Sequence, residues 1–359
     1  VLLGRSFFVV DNDICHPREF NWMTRNALGF AKGLLDVAAD LGMERVHELC
    51  TTYAAANPGF HVTKSVEAKR MPAFHRNLET ERVDGVAVVT VKRPEVLNAL
   101  NRRTLSEIAE VMEELDADAA VEGVVLTGYN GALAGADIME LAALATPEDA
   151  LDLARSGHRV LARIEAMTKP VVAAVDGPVL GGGCEIAMAC HARVAGPRLV
   201  LGQPEVNLGI IPGYGGTQRL PRLVGLERAL EMLRTARTVG AAEACAMGWA
   251  AGEPASDTVR AAREAVREHV SGTRRIGPVD PASMPVPAEL PRVDIGRHSL
   301  IVDRILVDTV RNGLARPLPE GLEIEARGLA RCKGTIDFDI GMKNFIQNGP
   351  RVPADFLHE

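Results

Sequence analysis

The stretch Val179-Leu180-Gly181-Gly182-Gly183-Cys184-Glu185 constrains this chain more than any other. It follows an apolar, strand-like run from Val171 to Val175, and a helical apolar pattern starts within it and continues through Met188. Three successive glycines between a strand and a helix let a neighbouring group come very close to the backbone. Amides at a helix start have no partner inside the helix, and the helix dipole favours negative charge there. This is the layout of an oxyanion site. Two acids stand 20 residues apart around it: Glu185 itself, and Glu205 in Leu201-Gly202-Gln203-Pro204-Glu205, ahead of Gly209-Ile210-Ile211-Pro212-Gly213.

At 359 residues and 47% hydrophobic, the chain can bury a large core and has the length for two domains, or one domain with a substantial extension. A formal charge of −7, without a sustained run of Lys or Arg, argues against a nucleic-acid partner. No apolar run reaches the length of a membrane span and no signal-peptide order is found at the N-terminus, so no membrane role is expected. Six scattered cysteines without CxxC spacing predict reduced thiols and a cytoplasmic protein. The chain opens at Val1 in sequence that already reads as folded, which predicts that it is part of something longer.

Trp22, Leu28, Phe30, Leu34, Leu35, Ala38, Leu41, Val46 and Leu49 recur at helical intervals and predict a small helical domain over residues 1–66. The polar, basic stretch 67–82 reads as a linker. Beyond it Val86 to Val91 is β-rich, and Leu105, Ile108, Val111, Met112 and Leu115 form a helix face opened by Thr104, with Glu107 three residues on. Val124 to Leu126 is a short buried strand, and a helix starting at Thr146-Pro147 leads into Val171 to Val175. Alternating strands and helices predict an α/β fold over 83–276, a pattern that also fits a Rossmann-like sheet. Prolines 278, 281, 285, 287 and 291 make 277–297 a loop, and helices return over 298–359. No GxGxxG follows a strand and opens a helix, so hydride transfer by this chain alone is not expected.

The runs GGGCEIAM (181–188), GQPE (202–205) and GIIPGYGGTQRLPRLVG (209–225) together resemble the signature of the crotonase, or enoyl-CoA hydratase/isomerase, family. Lys92 to Asn101 and Ala134-Gly135-Ala136-Asp137-Ile138 extend the likeness upstream. The resemblance implies a crotonase-type ββα spiral core with a C-terminal helical region, and a homo-trimer or hexamer. The N-terminal segment, through Asn21-Trp22, Leu28-Gly29-Phe30 and Gly33-Leu34-Leu35-Asp36, resembles the C-terminal domain of a 3-hydroxyacyl-CoA dehydrogenase. That likeness implies a dehydrogenase half as a candidate partner.

By the crotonase resemblance, the amides of Ala136 and Gly182 are the oxyanion donors, and Glu185 and Glu205 hold a water between them as acid and base. Close carboxylates separate their apparent pKa values, and the division of roles between these two is open. The implied substrate-binding positions upstream are Arg93, Leu97, Ala99, Ala134, Asp137 and Ile138, with Lys92 or Arg93 placed to meet a phosphate of CoA. Gly181, Pro204 and Gly213 complete the set. Asp137 reads more readily as a helix cap, His191 and Cys184 as structural, and Met188 and Met232 as core. HExxH, GxSxG and GxxxxGK(S/T) do not occur. No metal and no cofactor are expected beyond the CoA of an acyl-CoA thioester substrate. The implied activity is addition of water to a 2-trans-enoyl-CoA, giving a 3-hydroxyacyl-CoA in fatty acid or related acyl-CoA degradation. Isomerase or acyl-CoA hydrolase activity, or a non-catalytic assembly role in a bifunctional dehydrogenase/hydratase, stay open as alternatives.

Overall fold

Helical periodicity in the first part of the chain becomes five helices in a computed structural model that describes residues 1–358: α1 (Leu2–Asp11), α2 (Pro17–Asn26), α3 (Leu34–Leu41), α4 (Met43–Ala56) and α5 (Lys64–Glu67). They form a unit of their own, Val1–Asn77, around Phe7, Phe20, Leu35, Val46 and Val66. Helix α3 follows Gly33, which has no side chain to cap it, and α2 supplies the acceptors. Asn21 Oδ1 accepts from the amides of Leu35 (3.0 Å) and Asp36 (3.1 Å), and Thr24 Oγ1 from that of Leu34 (3.0 Å).

The second unit starts at Leu78. Strands β1 (Leu78–Val83) and β2 (Val86–Val91) pair antiparallel across Asp84-Gly85, both with positive φ, a two-residue hairpin turn. There follow α6 (Arg102–Ala117), β3 (Gly123–Gly128), α7 (Ile138–Ala142), α8 (Pro147–Glu165), β4 (Val171–Val175), β5 (Pro178–Leu180), α9 (Gly182–Ala189), β6 (Ala192–Ala195) and β7 (Val200–Gly202). Then come α10 (Gly216–Val224), α11 (Leu226–Thr235), β8 (Val239–Gly240), α12 (Ala241–Ala246), α13 (Thr258–Val270), α14 (Leu300–Leu314), α15 (Leu318–Lys333) and α16 (Ile336–Asn348). The main sheet runs β1-β2-β3-β4-β6, parallel from β2 onward, and β5-β7-β8 form a small second sheet.

Both faces of the parallel strands are covered, which is why they read as continuous apolar runs. Ala87, Val89, Leu126 and Ala173 join one core with Ile108 of α6 and Leu161 of α8, while Val86, Val125, Val172 and Val194 face Ala262 and Val266 of α13. Helix α15 packs against both α8 and α14, and α9 is buried along its whole length. Among the described residues no helix is long and apolar enough to cross a membrane.

Local signals place most of these elements, with three differences. The stretch 67–82 is not linker to its end: Leu78 to Arg82 belong to β1, because the Asp84-Gly85 turn folds them back onto β2. The cap of α6 is Asn101, whose Oδ1 accepts from the Thr104 amide at 2.8 Å and from the Thr104 hydroxyl at 2.8 Å, so Thr104 lies inside the helix. Helix α10, which no expectation from the sequence covered, passes through Pro221. The start of α8 is the expected one, with Thr146 accepting from the Asp149 amide and Pro147 in the first turn, and 277–297 carries no helix or strand.

Asn101→Ala is expected to lower stability by about 1 kcal/mol through loss of the cap. A lower urea midpoint with an unchanged slope would show it, and Thr104→Ala, which keeps the backbone bond, should cost less.

Candidate active site

The site is built on two main-chain amides, of Ala136 and Gly182, that have no protein acceptor among the described residues. The segment from Leu133 to Asp137 runs between Leu100 and Val179, and its neighbours are paired: Leu133 N–H to Pro178 O (2.8 Å), Leu100 N–H to Gly135 O (2.7 Å), Asp137 N–H to Leu100 O (2.9 Å). The Ala136 N–H falls between these bonds and donates to no protein group among the described residues. At the start of α9, Gly181 N–H donates to Gly202 O (3.0 Å) and Glu185 N–H to Gly181 O (2.9 Å), leaving Gly182 N–H equally without a partner. A Cβ on Gly182 would lie 3.2 Å from the Ala136 nitrogen, so the two amides are neighbours. They open on one cavity of about 850 Å³.

Each flanking glycine has its own steric reason. Gly181 has φ +48°, and a Cβ there would stand 2.7 Å from Glu205 Oε1. On Gly183 a Cβ would lie 2.0 Å from the Leu133 carbonyl oxygen, so α9 could not approach the segment that bears Ala136.

Glu185 and Glu205 are both buried and both line the cavity. Glu185 Oε1 accepts from the amides of Tyr214 (2.8 Å) and Gly216 (2.7 Å). With its amide turned so that oxygen and nitrogen both find partners, the Gln203 carboxamide donates to both oxygens of Glu205, at 3.0 and 3.1 Å. Burial pushes the Glu185 carboxyl well above its usual range, reinforced by the charges of Glu325 and Glu205 and opposed by the two amides. Burial likewise pushes Glu205 up to about 8, with the charge of Glu325 adding to it. Burial and the neighbouring carboxylate charges both favour the protonated form of this pair.

The structure brings the expected substrate positions Leu97, Ala99, Ala134, Asp137 and Ile138 to this cavity, together with Gly181, Pro204 and Gly213. Arg93 is the correction. It is not in the lining; its guanidinium donates to the Ala99 carbonyl and to Asp137 Oδ2 (3.0 Å), so it braces the loop and is not free for a phosphate. Lys92 Nζ is likewise engaged, with Glu79 (2.9 Å). Asp137 caps α7, accepting from the Met139 amide at 3.1 Å. His191 Nδ1 accepts from the Val171 amide (3.2 Å) while Nε2 meets the Glu165 carbonyl (3.2 Å), and burial lowers its pKa. Burial drives the Cys184 thiol far up, so no nucleophilic thiolate forms there. Met188 and Met232 are core.

Sequence reasoning missed three residues. Tyr214 lies against Gly182, its ring 3.2 Å from where a Cβ would stand, and lines the cavity. Arg351 is the one cationic side chain among the lining residues. Glu325 is fully buried beside the loop that carries the Glu185 donors. Only Tyr214 stood inside a motif; the other two lie in the C-terminal region, where no local pattern marks them.

Comparison with known proteins places the chain in a family. The enoyl-CoA hydratase/isomerase family description matches residues 81–276. The chain belongs to this family. A family member, the short-chain-enoyl-CoA hydratase of Clostridium acetobutylicum, is 38% identical over 275 residues, a match covering 76% of this chain and 95% of that protein. The fatty acid oxidation complex subunit alpha of Shewanella baltica is 38% identical over 273 residues; the match covers 70% of this chain and only 38% of that longer protein. Among solved structures, an enoyl-CoA hydratase/isomerase from Xanthobacter autotrophicus aligns with TM-score 0.58 at 26% identity, over 77% of this chain and 95% of that one. The α/β crotonase core with a C-terminal helical region, expected from the sequence, is the fold observed.

The raised carboxyls give a linkage prediction for this family member. Between the ordinary carboxyl range near 4.5 and about 8, the native state keeps on Glu205 a proton that the unfolded chain has released, so stability falls as pH rises. Glu205→Gln removes that term. The variant should gain on the parent by up to about 1.4 kcal/mol per pH unit across the window, read from urea unfolding at a series of pH values.

Proposed function

We propose that this chain is an enoyl-CoA hydratase, adding water to a 2-trans-enoyl-CoA to give a 3-hydroxyacyl-CoA. One observation carries the reading: two acceptor-free amides and two buried carboxylates face a single cavity. The thioester oxygen accepts from Ala136 N–H and Gly182 N–H, which polarises the conjugated double bond and stabilises the enolate; losing one such donor costs on the order of 3 kcal/mol. A water between Glu185 and Glu205 attacks the β-carbon. We assign Glu185 the proton of the water as the C–O bond forms, because its Oε1 is aimed by two amide donors that stabilise the ionised form against the upward push of burial. Glu205, with its pKa near 8, carries the proton delivered to the α-carbon. Keeping both carboxylates favours hydration over isomerisation, for which one proton shuttle suffices.

Arg351 at the cavity is the group best suited to a CoA phosphate, a role that Arg93 cannot fill while paired with Asp137. All six thiols are free, which supports action in a reducing cytoplasm. The exposed Trp22, Leu28, Phe30, Leu49 and Tyr53 of the N-terminal unit favour an additional assembly role, with a dehydrogenase half as the candidate partner.

The test is loss of the ultraviolet band of crotonyl-CoA, with binding followed by isothermal titration. Glu185→Gln and Glu205→Gln should each lower kcat by about 10³ or more while the thioester still binds. Binding without turnover by the folded parent chain would leave the assembly reading standing alone. Arg351→Ala should raise KM about tenfold with kcat nearly unchanged.

A further inference from the structure

The loop that carries the Glu185 donors is held on its other side by a carboxylate that the proposed chemistry does not use. Tyr214 and Gly216 donate to Glu185; Gly215 and Thr217 donate the other way. The Gly215 amide reaches Glu325 Oε1 (2.5 Å), the Thr217 amide reaches Oε2 (2.9 Å), and the Thr217 hydroxyl adds a bond to Oε2 (2.5 Å). Glu325 comes from α15, 110 residues after Gly215, and its Oε1 also meets His158 Nε2 of α8 at 3.0 Å. The reversal turns on Gly215, with φ +108°, where a Cβ would lie 1.7 Å from Arg219 Nη1. That nitrogen donates to the Tyr214 carbonyl at 2.8 Å, and Glu165 holds the rest of the Arg219 guanidinium at 2.7 and 2.9 Å. Two carboxylates and one guanidinium therefore fix four successive amides and one carbonyl.

Resting on the hydratase reading, we propose that Glu325 is a positioning residue for that reaction: by fixing the 214–217 loop it aims the Glu185 carboxylate, and as a further buried negative charge it acts on the Glu185–Glu205 pair. An apolar residue would pack α15 against α8 with less desolvation, but it would leave the Gly215 and Thr217 amides buried without acceptors. The groups that share this surrounding are His158 of α8, Arg219 of α10 with Glu165, Tyr214, and the two glutamates themselves. Around the rest of α15 the charges are paired off: Arg155 with Glu323 (2.5 Å), Asp308 with Arg331 (3.7 Å), Lys333 with Asp339 (3.1 Å). The charge of Glu325 raises the proton affinity of both active carboxyls, so its removal must lower it.

The test compares Glu325→Gln and Thr217→Val with the parent chain, by crotonyl-CoA hydration across pH and by infrared titration of the buried carboxyl band without substrate. Glu325→Gln should lower kcat about tenfold or more, leave KM within about twofold, and move the band midpoint down by about one pH unit. Thr217→Val removes a bond but no charge, and should lower kcat about threefold to fivefold with the midpoint unmoved. A Glu325→Gln chain with parental kcat and midpoint overturns the proposal; should that variant fail to fold, a Thr217→Val chain at parental kcat overturns it. A parent chain that hydrates nothing counts against the hydratase reading, while the band midpoint, which needs no turnover, still decides the role of Glu325.

Discussion

The Ala136 and Gly182 amides are kept without protein acceptors among the described residues, while the adjoining Asp137 and Gly181 amides are paired with Leu100 O and Gly202 O. Leaving a buried donor unpaired costs about 1–3 kcal/mol, and burying carboxylates beside it adds to that cost. Packing elsewhere must offset both. The offset is visible in the layers around the site: a parallel sheet covered on both faces, and α9 buried from end to end.

That arrangement depends on close backbone approach. Gly183 lets α9 come against the Leu133 carbonyl, and Gly181 makes room for the Glu205 carboxylate, so the glycine run sets the distance between donors and acids. The carboxylates are then tuned by what surrounds them. Glu185 is held by two amides, Glu205 by Gln203, and both share the influence of Glu325. Positioning and proton affinity come from the same contacts, as expected where water is excluded and a reacting group must be aimed.

Much of this was legible in the residues. Thr146-Pro147 opened α8 as written, Val171 to Val175 is strand β4, and the glycine run leads straight into α9. The four groups expected to converge, Ala136, Gly182, Glu185 and Glu205, do line one cavity. Where reading failed, a neighbour in the chain competed for a role: Asn101 took the cap from Thr104, and Asp84-Gly85 folded part of the apparent linker into β1. Helix α10 went without an expectation, and it contains Pro221, a residue rarely found inside a helix.

Taken alone, the sequence determined what short-range sterics and periodicity can determine: which runs are strands, where glycine is obligatory, and which two acids flank the turn. Only the tertiary structure decided that Arg93 is spent on Asp137, that Arg351 reaches the cavity, and that Glu325 grips the loop from behind. Those outcomes depend on side chains brought together from positions 44 to 110 residues apart, or on a C-terminal segment folding over the site, and no local pattern encodes such a meeting.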